Sequence, residues 1–250
     1  MGILKLNRFV IFSCGYNCSK YVKKHIDSIK NQKYDNYVHV IIDDNSNDDT
    51  SKIIEENKHD KLISYMNYKN VKWVSNALQY LDSHIESEED VVVIVDADDW
   101  LAHDYVFKKL NEVYTNEKAW MTHSLFKYPN GKDSSWIPKY SFDTIIERNF
   151  RKVIWSFTHL RTFKAFLWQN LDKEDLRGPD GNWTQYTYDM ALLFPMLEMC
   201  NYPGKIQFIN NIMYVYNNKN ILNVEKTMKQ EQQAMGRWFR SLPKYDRLER

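Results

Sequence analysis

Three aspartates, Asp96, Asp98 and Asp99, occupy four positions directly behind the apolar run Val91-Val92-Val93-Ile94-Val95. Carboxylates packed so closely repel one another, and their pKa values rise unless something compensates. A divalent cation supplies that compensation. Hard oxygen ligands suit Mg²⁺ or Mn²⁺, and Mg²⁺ is characteristically held by one or two carboxylates together with substrate phosphates. The segment therefore predicts a cation that carries a phosphorylated ligand. A second acidic stretch, Asp43-Asp44-Asn45-Ser46-Asn47-Asp48-Asp49, follows another apolar run. Part of it suits turns and helix caps. Its partial likeness to a calcium loop fails because Asp49 stands where such a loop needs glycine.

The elements that must hold these residues alternate. Apolar strands are predicted at 8–14, 37–43, 62–67 and 91–95, with helices at 18–31, 48–57 and 70–86 between them. Such alternation implies right-handed crossovers, a mostly parallel central sheet flanked by helices, and hence an α/β fold. Ligands of open parallel sheets bind outside the carboxyl ends of the strands, and both acidic stretches fall there. Beyond residue 115 the spacing predicts a strand at 119–128, helices at 162–171 and 188–200, one or two strands at 205–217, and an amphipathic helix at 223–240.

Composition removes several alternatives. The chain has 250 residues, enough for one large domain. With 34 basic against 33 acidic side chains, no global field argues for nucleic acid or an anionic membrane. No apolar run approaches the ~18 residues of a membrane span, and the first residues lack the apolar region of a secretory signal. A soluble cytoplasmic protein is expected, monomeric or homodimeric, with the C-terminal helix as the segment suited to peripheral membrane contact. Cys14, Cys18 and Cys200 cannot all pair and lack the second ligand pair of a zinc site, so reduced thiols are expected.

The stretches FVIFSCGYN, VHVIIDDNSNDDT and VVVIVDADDW, in this order and spacing, resemble the family 2 glycosyltransferases, inverting enzymes with the GT-A fold. The resemblance implies a single GT-A domain over 1–250, with a nucleotide-sugar-binding half at 1–115, an acceptor half at 116–222, and a C-terminal helix and tail at 223–250. It implies that Tyr16 stacks on the nucleotide base and Asp44 bonds a uracil ring, with Asn17 and Asn45 beside them. Of the DADD carboxylates one would contact the ribose and another the metal. Asp96 is assigned to the nucleotide and Asp98 and Asp99 to the cation, while the register of the pair stays open between Asp96 with Asp98 and Asp98 with Asp99. Lys72 and Asn76 lie where the family's Gly- and Arg-containing stretch has been replaced, and are further donor-site candidates.

Transfer of a sugar also needs a base for the acceptor hydroxyl's proton. The resemblance places Asp189, at the start of an apolar helix, in that role; Asp180, in RGPDGNW, is the second candidate. Trp183 and Tyr188 offer aromatic faces to an acceptor sugar, and His159 and Arg161 are candidates for phosphate or acceptor contact. The expected partners are a UDP-sugar and a glycan, lipid-linked or protein acceptor. The rivals are a sugar-phosphate nucleotidyltransferase, which would need a Gly-rich basic loop after the first strand, and a binding module that has lost catalysis.

Overall fold

The structure is a computed structural model that describes residues 6–200, 202–222 and 224–250. Its first half runs β1 (Phe9–Gly15), α1 (Ser19–Lys30), β2 (Tyr37–Asp43), α2 (Thr50–Glu56), β3 (Leu62–Met66), α3 (Lys72–Tyr80), β4 (Val91–Ile94) and a short β5 (Trp100–Leu101). The second half adds α4 (Val106–Asn116), β6 (Met121–Lys127), α5 (Phe142–Glu147), β7 (Arg161–Lys164), α6 (Ala165–Gln169), α7 (Tyr188–Met199), β8 (Ile206–Val215), α8 (Val224–Thr227) and α9 (Lys229–Ser241). One eight-stranded sheet results, in the order β3-β2-β1-β4-β7-β6-β8-β5.

The continuous apolar runs are explained by cover on both faces. Phe9, Val10, Ile11 and Phe12 of β1 and Val91, Val92, Val93 and Ile94 of β4 are all fully buried. Because successive side chains alternate across a strand, Val10, Phe12, Val92 and Ile94 pack with Trp73 of α3, Phe166 of α6 and Leu192 of α7. Phe9, Ile11, Val91 and Val93 pack on the opposite face with Ile29 of α1 and Phe107 of α4.

The strands β3-β2-β1-β4 run parallel, and β6 and β8 form a second parallel pair. Residues 162–171, expected as one helix, divide instead: Arg161–Lys164 form β7, antiparallel to β4, and helix begins only at Ala165. Pairing with the fully buried β4 satisfies backbone groups there that a helix would leave open. The expected 70–86 helix is likewise shorter, ending at Tyr80 before a separate 3₁₀ turn at Asp82–His84.

The C-terminal helix turns its apolar side inward. Phe239 is buried, Met235 and Trp238 pack against the core, and Trp238 Nε1 donates to the Arg177 carbonyl at 3.2 Å. Among the described residues no helix is long and apolar enough to cross a membrane.

Beyond β4 the chain makes the DADD turn and crosses to the far edge of the sheet. There Trp100 pairs with Val215 and Leu101 with Tyr214, antiparallel to β8.

Candidate active site

At the carboxyl ends of β1, β2 and β4 lies a cavity of about 330 Å³. Tyr16, Asp44, Lys72, Asp96, Asp98 and Asp99 line it on the side of the first four strands. His159, Arg161, Tyr188 and Asp189, from the second half of the chain, line it as well. The turn itself is closed by the Asp99 amide donating to the Asp96 carbonyl at 2.9 Å.

Each acidic side chain of the turn meets a neutral donor. Tyr188 Oη donates to Asp96 Oδ1 at 2.8 Å, Asn220 Nδ2 to Asp98 Oδ2 at 2.8 Å, and Tyr214 Oη to Asp99 Oδ2 at 2.7 Å. The Asn217 amide donates to Asp99 Oδ1 at 2.6 Å. These bonds hold the carboxylates apart without cancelling their charge. Burial and the neighbouring Asp98 accordingly push the Asp96 carboxyl up to about 6. Asp98 is raised by burial, and Asp99 is raised by burial and by both neighbouring aspartates.

His159 stands over the same turn. Its ring is stacked on Tyr214 at 4.6 Å between centroids, and its Nδ1 has no hydrogen-bond partner. A ring nitrogen of His159 and carboxylate oxygens of Asp96 and Asp99 lie within 4.8 Å of one another. Two hard carboxylates and an imidazole form a donor set suited to a divalent cation.

Across the cavity, α7 begins with the two residues that connect its halves. Tyr188 stacks on Trp73 at 4.4 Å and 9° while its hydroxyl reaches Asp96. Asp189 accepts from Arg161 Nη2 at 3.0 Å, and Arg161 arrives on β7, the strand beside β4. Four lining residues carry buried polar atoms without a protein partner: Asn70 Oδ1, Trp73 Nε1, His159 Nδ1 and Arg161 Nε. Buried polar groups are normally hydrogen-bonded, so a cluster of unmet groups around one cavity marks a place for a polar ligand.

At the ends of β1 and β2, Tyr16 is 37% exposed, with Lys72 Nζ 5.7 Å from its ring centre. Asp44 is buried and organises the wall, accepting from Asn67 Nδ2 at 2.8 Å, the Val71 amide at 3.0 Å and the Lys72 amide at 2.8 Å.

Other expected residues do not line the cavity. Asn17 braces the loop beneath it, accepting from the Asn47 amide at 2.7 Å, and Asn45 lies in the same loop. Asn76 is fully buried and accepts from Asn67 Nδ2 at 2.7 Å. Asp180 is exposed and bonds to Asn182 at 3.0 Å, while Trp183 carries the Arg177 guanidinium 3.5 Å over its ring.

The structure also brings in Trp73, Tyr214, Asn217 and Asn220, none of them expected at the site. The asparagines follow β8 as an N-x-x-N pair in a loop, but nothing in that spacing names its partner.

Comparison with known proteins places this geometry. The model for glycosyl transferase family 2 matches residues 10–174, more than half of the chain. "Glycosyltransferase GlyA" of Streptococcus pneumoniae serotype 4 is 33% identical over 101 residues, covering 39% of this chain and 14% of that protein. S. aureus TarS 1-349 in complex with UDP-GlcNAc superposes with a TM-score of 0.62 at 16% identity, over 85% of this chain and 59% of that one. The mannosyltransferase PcManGT from Pyrobaculum calidifontis, in complex with GDP-Man and Mn²⁺, gives 0.52 at 16% identity, over 84% and 56%. The chain thus spans less than two thirds of each of these relatives. The eight-stranded mixed sheet has the GT-A arrangement of both solved structures, and the family match carries the conclusion: this chain belongs to glycosyl transferase family 2.

Proposed function

We propose that the cavity takes a nucleotide sugar, with a UDP-sugar as the donor, and transfers its sugar to an acceptor hydroxyl in a single inverting displacement. One observation carries this reading: the acidic turn and Asp189 face a common cavity and are joined across it by adjacent residues, Tyr188 reaching Asp96 and Asp189 reaching Arg161. The UDP-GlcNAc held by TarS and the GDP-Man and Mn²⁺ held by PcManGT support a nucleotide sugar and a divalent cation.

In the proposed displacement the acceptor oxygen forms a bond to the anomeric carbon as the bond from that carbon to the diphosphate breaks. The electron pair leaves with the diphosphate, and Asp189 takes the proton of the attacking hydroxyl. Tyr16 and Asp44 hold the base, with Lys72 beside the Tyr16 ring. Asp98 and Asp99 hold the cation, with Asp96 and His159 close to Asp99, and the carboxylates suit Mn²⁺ or Mg²⁺. Such a cation, when bound, neutralises charge on the leaving diphosphate. Arg161 fixes Asp189 and adds a positive charge between the two sets of carboxylates.

Purified protein incubated with UDP-glucose, UDP-GlcNAc or GDP-mannose, with Mn²⁺ and with EDTA, tests this reading through release of nucleoside diphosphate. Metal-dependent release from a UDP-sugar is expected. Release from GDP-mannose alone would overturn the choice of base, and equal release in EDTA the role of the cation.

A further inference from the structure

The first half of the acidic turn is bonded to β1, the Val95 amide donating to the Phe12 carbonyl at 3.2 Å and the Ala97 amide to the Cys14 carbonyl at 3.1 Å. Its second half, from Asp99 onward, is held from α1. His25, Ser28 and Gln32 lie three and four residues apart on one face of that helix or its C-terminal end, the spacing that places side chains in a row. Each one reaches the chain from Asp99 onward. His25 Nδ1 lies 2.9 Å from the Asp99 carbonyl oxygen, and Ser28 Oγ accepts from the Leu101 amide at 3.1 Å. Gln32 Nε2 donates to the His103 carbonyl at 2.7 Å, while its Oε1 accepts from the Phe107 amide at 3.1 Å.

The histidine rung determines its own tautomer. A carbonyl oxygen only accepts, so Nδ1 of His25 carries the hydrogen. Its Nε2 then accepts from Nε2 of His39, 3.2 Å away on β2, and His39 Nε2 also lies 3.3 Å from Ser13 Oγ on β1. His39 Nδ1 is left bare, and it has no hydrogen-bond partner. Both rings are fully buried. The chain of contacts thus ties the Asp99 peptide through α1 to β2 and β1, the strands that carry Asp44 and Tyr16 at their ends.

We infer that His25 is a positioning residue for the site: it fixes the peptide of Asp99, and through it the direction of the DADD carboxylates, so that they meet a divalent cation and a diphosphate without rearranging. The inference rests on the reading of that turn as the cation and diphosphate site. Outer groups that orient metal ligands are worth about 10- to 100-fold in metal affinity. His25 touches no part of the cavity, so its effect passes entirely through the turn.

Titration of the protein with Mn²⁺ in the presence of UDP, followed by the electron paramagnetic resonance signal of free Mn²⁺, separates this role from a purely structural one. His25→Phe keeps the ring volume and removes the donor, and is expected to weaken Mn²⁺ binding by about tenfold. His25→Asn places Nδ2 where Nδ1 stood and is expected to bind within about twofold of the wild type, although it loses the His39 contact. Equal affinity in His25→Phe and wild type overturns the inference, as does an Asn variant as weak as the Phe variant. Should His25→Phe not fold, Ser28→Ala decides alone: weaker Mn²⁺ binding supports the shared row and unchanged binding overturns it. A wild-type protein that takes up neither Mn²⁺ nor UDP would instead overturn the reading of the turn itself, and the inference with it.

Discussion

Arg161 Nη2 donates to Asp189 Oδ2 across 3.0 Å, with only 8% and 18% of the two side chains exposed. The pair uses one carboxylate oxygen and leaves the other for a further donor. Because Arg161 sits on the strand next to β4, the orientation of Asp189 is referred to the same sheet that positions the acidic turn. The two ends of the proposed reaction therefore share one frame of reference.

If Asp189 takes the acceptor proton, Asp189→Asn keeps the shape and the Arg161 contact while removing the base. The expected loss in kcat is about 10²- to 10⁴-fold, the usual range for such a group. UDP binding measured by calorimetry should stay within about twofold of wild type, since no donor contact is altered. A fully active variant would exclude Asp189 from this role.

The raised carboxyl of Asp96 makes a statement about stability. Its folded pKa of about 6 lies above the ordinary 3.8, so the folded chain holds more protons than the unfolded one between those values. Its contribution is fully present below the ordinary value and is lost as pH rises through about 6. Urea denaturation of the ligand-free protein from pH 4 to 7 should show this fall, and Asp96→Asn, which removes one of three raised carboxyls, should make it shallower. Parallel curves for the two proteins would contradict the assignment.

Close packing behind the cavity predicts a sensitive glycine. A Cβ on Gly15 would come within 2.7 Å of Cys18 Sγ and 2.9 Å of Ala97 Cβ, which lies inside the DADD turn. Gly15→Ala should cost about 1–3 kcal/mol, as overpacking does. Thermal unfolding would show a lowered Tm, and an unchanged Tm would mean that the loop yields freely.

The second half is pinned by a buried ion pair. Glu198 of α7 is fully buried and bridges Arg151 Nε at 2.6 Å and Nη2 at 2.8 Å. Replacing one partner leaves the other charge buried, so Glu198→Gln should destabilise the fold by about 3–5 kcal/mol. The check is equilibrium denaturation against the wild type.

Much of the first half was legible in the sequence because β1, β2 and β4 are buried on both faces. Continuous apolar runs broken by amphipathic helices fix β1 to β4 within a residue or two, and the acidic ends of β2 and β4 follow directly. β7 was not legible. Thr162-Phe163-Lys164 continues into Ala165-Phe166-Leu167-Trp168 with no breaker between strand and helix, and only the neighbouring β4 decides where one becomes the other. Tyr16, Asp44, the DADD turn, Tyr188 and Asp189 do converge on one cavity. The bracing roles of Asn17 and Asn76, and the stacking of Trp73 under Tyr188, depend on contacts that no local spacing encodes.

The passage from β4 to the far edge of the sheet bears on the order of events in folding. β5 has only β8 as its neighbour, and β8 is built from residues 206–215. Tyr214 and Asn217, which hold Asp99, come from that same late segment. During synthesis the first four strands can assemble long before this stretch leaves the ribosome, but the Asp99 carboxylate lacks both of its donors until it arrives. The first half thus acquires its shape early and the last contacts of its acidic turn late.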